Sequence, residues 1–281
     1  MPCERFTVAV LCGLVSVGLT GCQEDPSRAF PPAHAVAQGQ RSPPPPAGPP
    51  GDVTLSGRVL SFPTGGPTDA GLCLSLMDPS DRALDGEATV VASATTTAGG
   101  EFSLTGLPVA PSVGWILVVD DCSDTSTWVP TGTILPGELV GGRGSGDPVT
   151  NVNAWLFATA DRDRIDSDLV SSGSDSILGD GGGLLGRSLN SAGQPNHESW
   201  VRGPNATQLW YPQRDGTYTL YDHTDSEAGG FYVAPDAEDV YGVFVTRVSG
   251  LQFRPLMAGG LPGVIQIWDF VSEEPQVAGA L

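Results

Sequence analysis

The chain has 281 residues and a formal net charge of −19, and all 13 of its basic residues are arginine. That length suits one or two domains. So acidic a surface repels nucleic acid and anionic lipid, and no basic patch with interleaved aromatics offsets it, which argues against a nucleic-acid partner. The 38 glycines and 25 prolines favour short strands joined by turns over helices.

The first segment opens with Arg5, partly offset by Glu4, and continues as a mostly apolar run from Phe6 to Gly18. This run is too short to span a bilayer and has the make-up of a secretion signal. It ends in Leu19-Thr20-Gly21-Cys22, which resembles the bacterial lipobox. The resemblance implies that residues 1–21 are a lipoprotein signal peptide. It also implies that Cys22 becomes the lipidated N-terminus, carrying a diacylglycerol and an amide-linked acyl chain such as palmitate, so that the membrane is a partner through this anchor. One acyl chain holds a protein to a bilayer only marginally, whereas two or more hold it stably. Gln23 follows the cysteine where an aspartate would signal retention, so the expected place is the cell envelope, at the outer membrane or cell surface.

Residues 22–51 read as a disordered tether. Nine prolines fall between Pro26 and Pro50, with Pro43 to Pro46 in a row, and no hydrophobic period runs through them. Such a segment buries too little surface to fold and is expected to be extended and semi-rigid.

Two glycine-punctuated units follow. Gly57-Arg58-Val59-Leu60 and Gly99-Gly100-Glu101-Phe102 mark the first, and Gly186-Arg187-Ser188-Leu189 and Gly229-Gly230-Phe231 mark the second. The spacing from Gly57 to Gly100 is 43 residues and that from Gly186 to Gly230 is 44, a near-constant period of the kind internal repeats produce. In the first unit (residues 52–125), Val53, Leu55, Gly57 and Val59 alternate with polar residues, as do Leu72, Leu74 and Leu76, which is the period of a half-buried strand. Trp115 to Val119 is continuously apolar and suits a central strand. In the second unit (residues 181–281), strands are expected near Gln208–Pro212, Tyr218–Tyr221, Phe231–Val233, Val240–Val248 and Gly263–Val271.

Ser56-Gly57-Arg58-Val59-Leu60 and Thr96-Thr97-Ala98-Gly99-Gly100-Glu101-Phe102 resemble the carboxypeptidase regulatory-like domain. Asn190-Ser191-Ala192-Gly193-Gln194-Pro195 echoes that family's strand–turn–strand pattern in the second unit. The resemblance implies an all-β chain of two tandem, small transthyretin-like β-sandwiches with little helix.

Residues 126–180 read as a connector with strands and a short Asp-rich helix. Asp161, Asp163, Asp166 and Asp168 invite a calcium reading, but a calcium loop needs a glycine at its sharp turn, where Asp166 stands. A helix with Asp/Arg pairs at i, i+3 accounts for the same residues. Among the cysteines, Cys73 and Cys122 fall in the first unit. In an oxidising compartment they are expected to form a disulfide.

Aromatics crowd the second unit. Trp210, Tyr211 and Tyr221 are candidates for a ligand platform suited to a sugar ring or a protein partner, against the alternative that they are sandwich core. His197 and His223 are the histidines of the folded region, and Asp222 and His223 are adjacent. On an extended strand neighbours face opposite ways, so Asp222 is not expected to orient His223. No Gly-x-Ser-x-Gly elbow and no His-Glu-x-x-His motif occurs, and no metal or other cofactor is implied. The expectation is a non-catalytic cell-envelope lipoprotein whose sandwiches act as spacer, scaffold or adhesion modules. A carbohydrate-binding surface protein is the first alternative, and a surface hydrolase the second.

Overall fold

The computed structural model describes residues 53–80, 88–122, 127–140, 148–203, 207–235, 237, 241–247, 252–253, 256–259 and 261–273. The expected signal peptide, Cys22 and the expected proline-rich tether lie outside the described residues. Strands of the first unit are β1 (Val53–Ser61), β2 (Gly66–Pro67), β3 (Cys73–Asp78), β4 (Thr89–Thr95), β5 (Glu101–Leu107) and β6 (Trp115–Asp120), and the connector contributes β7 (Trp128–Val129), β8 (Thr131–Leu135) and β9 (Val149–Ala158). A helix over Thr159–Ser171 and a single turn over Leu178–Gly181 lead to the second unit. There, β10 (Gly182–Leu189), β11 (Trp200–Arg202), β12 (Trp210–Pro212), β13 (Tyr218–Leu220) and β14 (Phe231–Ala234) come first. Next are β15 (Tyr241–Arg247), β16 (Gln252–Phe253), β17 (Leu256–Gly259) and β18 (Val264–Glu273).

The protein is all-β, built as stacked sheets. One sheet runs β2-β1-β9-β7, with β5 also on β1. A ten-stranded sheet runs β13-β12-β14-β10-β18-β8-β6-β3-β4, with β16 on β18, and a third pairs β11, β15 and β17. The apolar alternation of the first unit is the reason for its sandwich. Leu55 and Val59 of β1, Leu74 and Leu76 of β3, Phe102 and Leu104 of β5, and Trp115, Leu117 and Val119 of β6 converge on one core. The intervening Ile116 and Val118 of β6 point the other way and pack with Leu261 and Val264. A strand covered on both faces requires a continuous apolar run, and Trp115–Val119 supplies it.

The repeat is real at the level of strand pairing. In the first copy, β1 pairs antiparallel with β5 and parallel with β9, and Gly57 lies opposite Phe102 and Val152. In the second, β10 pairs antiparallel with β14 and parallel with β18, and Gly186 lies opposite Tyr232 and Trp268. The Gly-Gly turns match as well: Gly100 has φ 75° and Gly230 has φ 70°, a conformation in which a side chain would be strained.

The two copies are not separate layers. β18 pairs parallel with β8, Gln266 opposite Gly132, so the ten-stranded sheet passes from one copy into the other. The sheet joins them on one side, and Arg187 pins them on the other. Its Nε donates to Asp269 Oδ1 at 3.0 Å, a second guanidinium nitrogen bonds Asp269 Oδ2, and Nη1 donates to the carbonyl of Pro63 at 3.2 Å. The guanidinium carbon lies 4.9 Å from the Phe62 ring centroid. Phe62 meets Trp155, Phe157 and Phe231 edge to face, which ties aromatic residues of both copies into one cluster.

Candidate functional site

Cys73 and Cys122 are joined by a disulfide, as expected, with Cα atoms 5.1 Å apart. Cys73 opens β3 and lies opposite Asp120 of β6, so the bond staples the ends of two neighbouring strands. Asp120 stands close enough to both sulfurs to complete a three-ligand metal cluster, but disulfide sulfurs offer no thiolate.

The aromatic platform needs correction. Trp210 is 4% exposed and Tyr211 fully buried. They do face opposite ways, but β12 lies inside its sheet and both faces are covered. Trp210 packs with Ile165 and Leu169 of the helix. Tyr211 packs with Tyr232 and Phe270, donates its hydroxyl to the carbonyl of Val201 at 2.8 Å, and accepts the Val201 N–H at 3.1 Å. Burial pushes its phenol well above the ordinary range, and pushes that of neighbouring Tyr218 up to about 12. Only Tyr221 of the three candidates is exposed.

The Asp161–Asp168 run is helical, within Thr159–Ser171, and does not form a calcium loop. Arg164 lies 3.9 Å from Asp161 and 3.7 Å from Asp168, the helical pairing expected of these residues. Asp166 is buried and accepts the N–H groups of Leu178 at 2.7 Å and Gly179 at 3.0 Å, fastening the single turn that precedes β10. Burial raises its carboxyl above the usual carboxylate range, while those two amides and Arg162 act against the rise.

Tyr221 borders an open cleft of about 380 Å³, lined also by Glu198, Trp200, Asp222 and His223. Two segments build it. The chain leaves β13 at Leu220, and Tyr221 adopts φ 55°. The extended-strand geometry therefore ends before Asp222, and the expectation that Asp222 and His223 face apart does not hold. Asp222 Oδ1 lies 2.5 Å from His223 Nδ1. The other segment, Asn196 to Trp200, runs alongside and brings His197 to a ring-centroid distance of 6.2 Å from His223. Trp200 is half-buried, with the Arg202 guanidinium 3.7 Å from its ring centroid. The sequence shows both histidines but not their meeting, because it depends on Thr224, whose role in joining the segments has no local pattern.

The cleft combines imidazole, carboxylate and aromatic groups. The hydroxyl of Thr224 is buried and donates to the Asn196 carbonyl, and that of Ser199 is buried against the hydroxyl of Ser188.

No family model matches the chain, and no curated protein matches it. Among solved structures, the shaft pilin SpaA from Lactobacillus rhamnosus GG is similar over 82% of this chain and 99% of its own, at 10% identity and a TM-score of 0.23. The Bacillus anthracis TIE protein is similar over 79% of this chain and 34% of its own, at 12% identity and a TM-score of 0.23. A streptococcal ancillary pilin is similar over 80% of this chain and 63% of its own, at 10% identity and a TM-score of 0.23.

Proposed function

We propose that this chain is a non-catalytic, lipid-anchored protein of the cell envelope. In this reading Cys22 holds the lipid, the proline-rich segment is the spacer, and the β body is a scaffold or adhesion module. The observation that carries the proposal is the Cys73–Cys122 disulfide in a body that follows a lipobox-like Leu19-Thr20-Gly21-Cys22. A disulfide persists in the oxidising compartments such a signal leads to. The aromatics of the second copy support the same reading, since Trp210, Tyr211 and Tyr232 are committed to packing. The carbohydrate-binding alternative keeps only Tyr221 of its three aromatics.

Mass spectrometry of the mature N-terminal peptide, with fractionation of cells expressing Cys22→Ser, tests the proposal. It requires a diacylglyceryl cysteine at position 22 and transfer of the variant out of the membrane fraction. A mature chain beginning elsewhere, or a Cys22→Ser protein still in the membrane fraction, refutes it.

A further inference from the structure

We propose that the outer edge of β4 is a docking site for an extended, basic segment of another protein, which adds to the ten-stranded sheet as a further strand. β4 ends that sheet: it pairs with β3 on one side, and no described strand pairs with it on the other. Its seven residues, Thr89-Val90-Val91-Ala92-Ser93-Ala94-Thr95, include no charge, no proline and no glycine. Exposed edges are ordinarily protected from strand addition by charge, proline, a bulge or short length. The other described edges carry such protection. β2, β7 and β16 have two residues each, β11 and β13 three, and β17 four. β5 is as long as β4, but it has Glu101, Gly106 with φ 70° and a bulge against β1. β4 has one irregularity, the extra residue Val91, and from Ala92 to Thr95 its pairing with β3 is regular.

The backbone groups that a new strand needs are in place. Thr96 turns its N–H toward the Leu72 carbonyl and its own carbonyl toward the Gly71 N–H, on the β3 side. Alternate residues of a strand bond to opposite neighbours. The backbone groups of Ala94 and Ala92 therefore also face β3, and the N–H and carbonyl groups of Ser93 and Thr95 face outward. Thr89, Ser93 and Thr95 are exposed, and Val90, 51% exposed, offers an apolar contact to an added strand. Charge decides the occupant. Asp78 stands opposite Thr89 at one end of β4. At the other end the Thr96 hydroxyl donates to the carbonyl of exposed Asp69 at 3.2 Å, and Asp120 stands opposite Cys73, the partner of Thr95. An uncharged strand between carboxylates fits a small or β-branched segment with lysine or arginine at both ends. A second copy of β4 would bring the same carboxylates together, on a chain already at −19. Strand addition takes its affinity from main-chain hydrogen bonds and its selectivity from alternate side chains, which suits recognition of a short motif. The inference does not depend on the lipid anchor.

The test is fluorescence anisotropy of an end-blocked, labelled peptide, Lys-Val-Thr-Val-Thr-Val-Lys, titrated with the full-length chain in detergent at low salt. Two further peptides are controls: one with glutamates in place of the lysines, the other with the lysines kept and prolines in place of the threonines. Saturable binding is expected of the first peptide alone. Ser93→Lys puts a like charge opposite the added strand and should weaken binding about fivefold. Val170→Lys makes the same change of net charge on the helix, at a position 58% exposed, and should leave binding unchanged. Amide hydrogen exchange of the wild-type chain is the second readout and needs no variant to fold: the peptide should protect the Ser93 and Thr95 N–H groups. Absence of saturable binding, equal binding of either control peptide, equal weakening by Val170→Lys, or unchanged exchange at Ser93 and Thr95 would each overturn the assignment. So would concentration-dependent self-association that protects those amides without peptide, which would make a second copy the occupant.

Discussion

Gly57 and Gly186 occupy the same place in two copies of one device. A Cβ on Gly57 would lie 1.9 Å from the carbonyl oxygen of Val152, and one on Gly186 would lie 1.7 Å from that of Trp268. In each copy the glycine lets a central strand come close to its parallel neighbour. The obstacle is backbone, which cannot swing aside. Gly57→Ala and Gly186→Ala are therefore each expected to cost about 3 kcal/mol. Gly193→Ala, at a turn glycine with nothing within 4 Å, should cost less. Urea unfolding midpoints measure all three, and a neutral Gly186→Ala would contradict the equivalence.

Arg187 and Asp269 form an ion pair whose side chains are only 17% and 13% exposed. Removing one partner leaves the other charge unpaired and largely out of water, at a cost of about 3 kcal/mol or more. Arg187→Lys should not restore stability, because a lysine cannot make the two-pronged contact or lie flat on Phe62. Thermal melting of Arg187→Met, Arg187→Lys and the Arg187→Met/Asp269→Leu double variant is the check. The double variant is expected to be more stable than either single loss.

The disulfide closes a sequence separation of 49 residues. In the chain-entropy picture a loop of that size contributes about 4 kcal/mol. Reduction, or the Cys73→Ser/Cys122→Ser double variant, should lower the urea midpoint without changing the far-ultraviolet spectrum of the folded state. An unchanged midpoint would mean that the staple contributes nothing.

Asp166 gives a pH-dependent prediction of unusual sign. Its folded carboxyl holds a proton more tightly than the unfolded one, chiefly because it is buried. Protonation therefore adds stability as pH falls through the carboxylate range, and that stability is lost as pH rises through the folded value. The stability of wild type relative to Asp166→Asn should shift in favour of wild type between pH 7 and about pH 4. Urea titrations at both pH values measure it, and a shift the other way would contradict the burial account.

Much of this architecture was legible because strands and turns leave local marks. Leu72, Leu74 and Leu76 alternate, Trp115 to Val119 do not, and the structure gives each the burial its pattern implies. The paired glycine landmarks reported the repeat because backbone crowding permits no side chain there. The parallel β8–β18 pairing was not legible, since nothing in Thr131–Leu135 or Val264–Glu273 marks a partner more than a hundred residues away. Trp210 and Tyr211 are core, the alternative the sequence leaves open for a related reason. An aromatic on a strand reads the same whether its outer face meets water or a third sheet. The meeting of His197 and His223 depends on Tyr221 leaving the strand conformation, which a tyrosine codon does not announce.

A scaffold must transmit position without yielding at a joint, so the account turns on the two copies behaving as one body. Hydrogen exchange across a urea series, read by mass spectrometry on peptides from β1, β9, β10 and β18, tests this most directly. The shared sheet and the Arg187 contact predict that all four lose protection together, in one transition. Loss of protection in β10 and β18 at a urea concentration where β1 and β9 remain protected would contradict it.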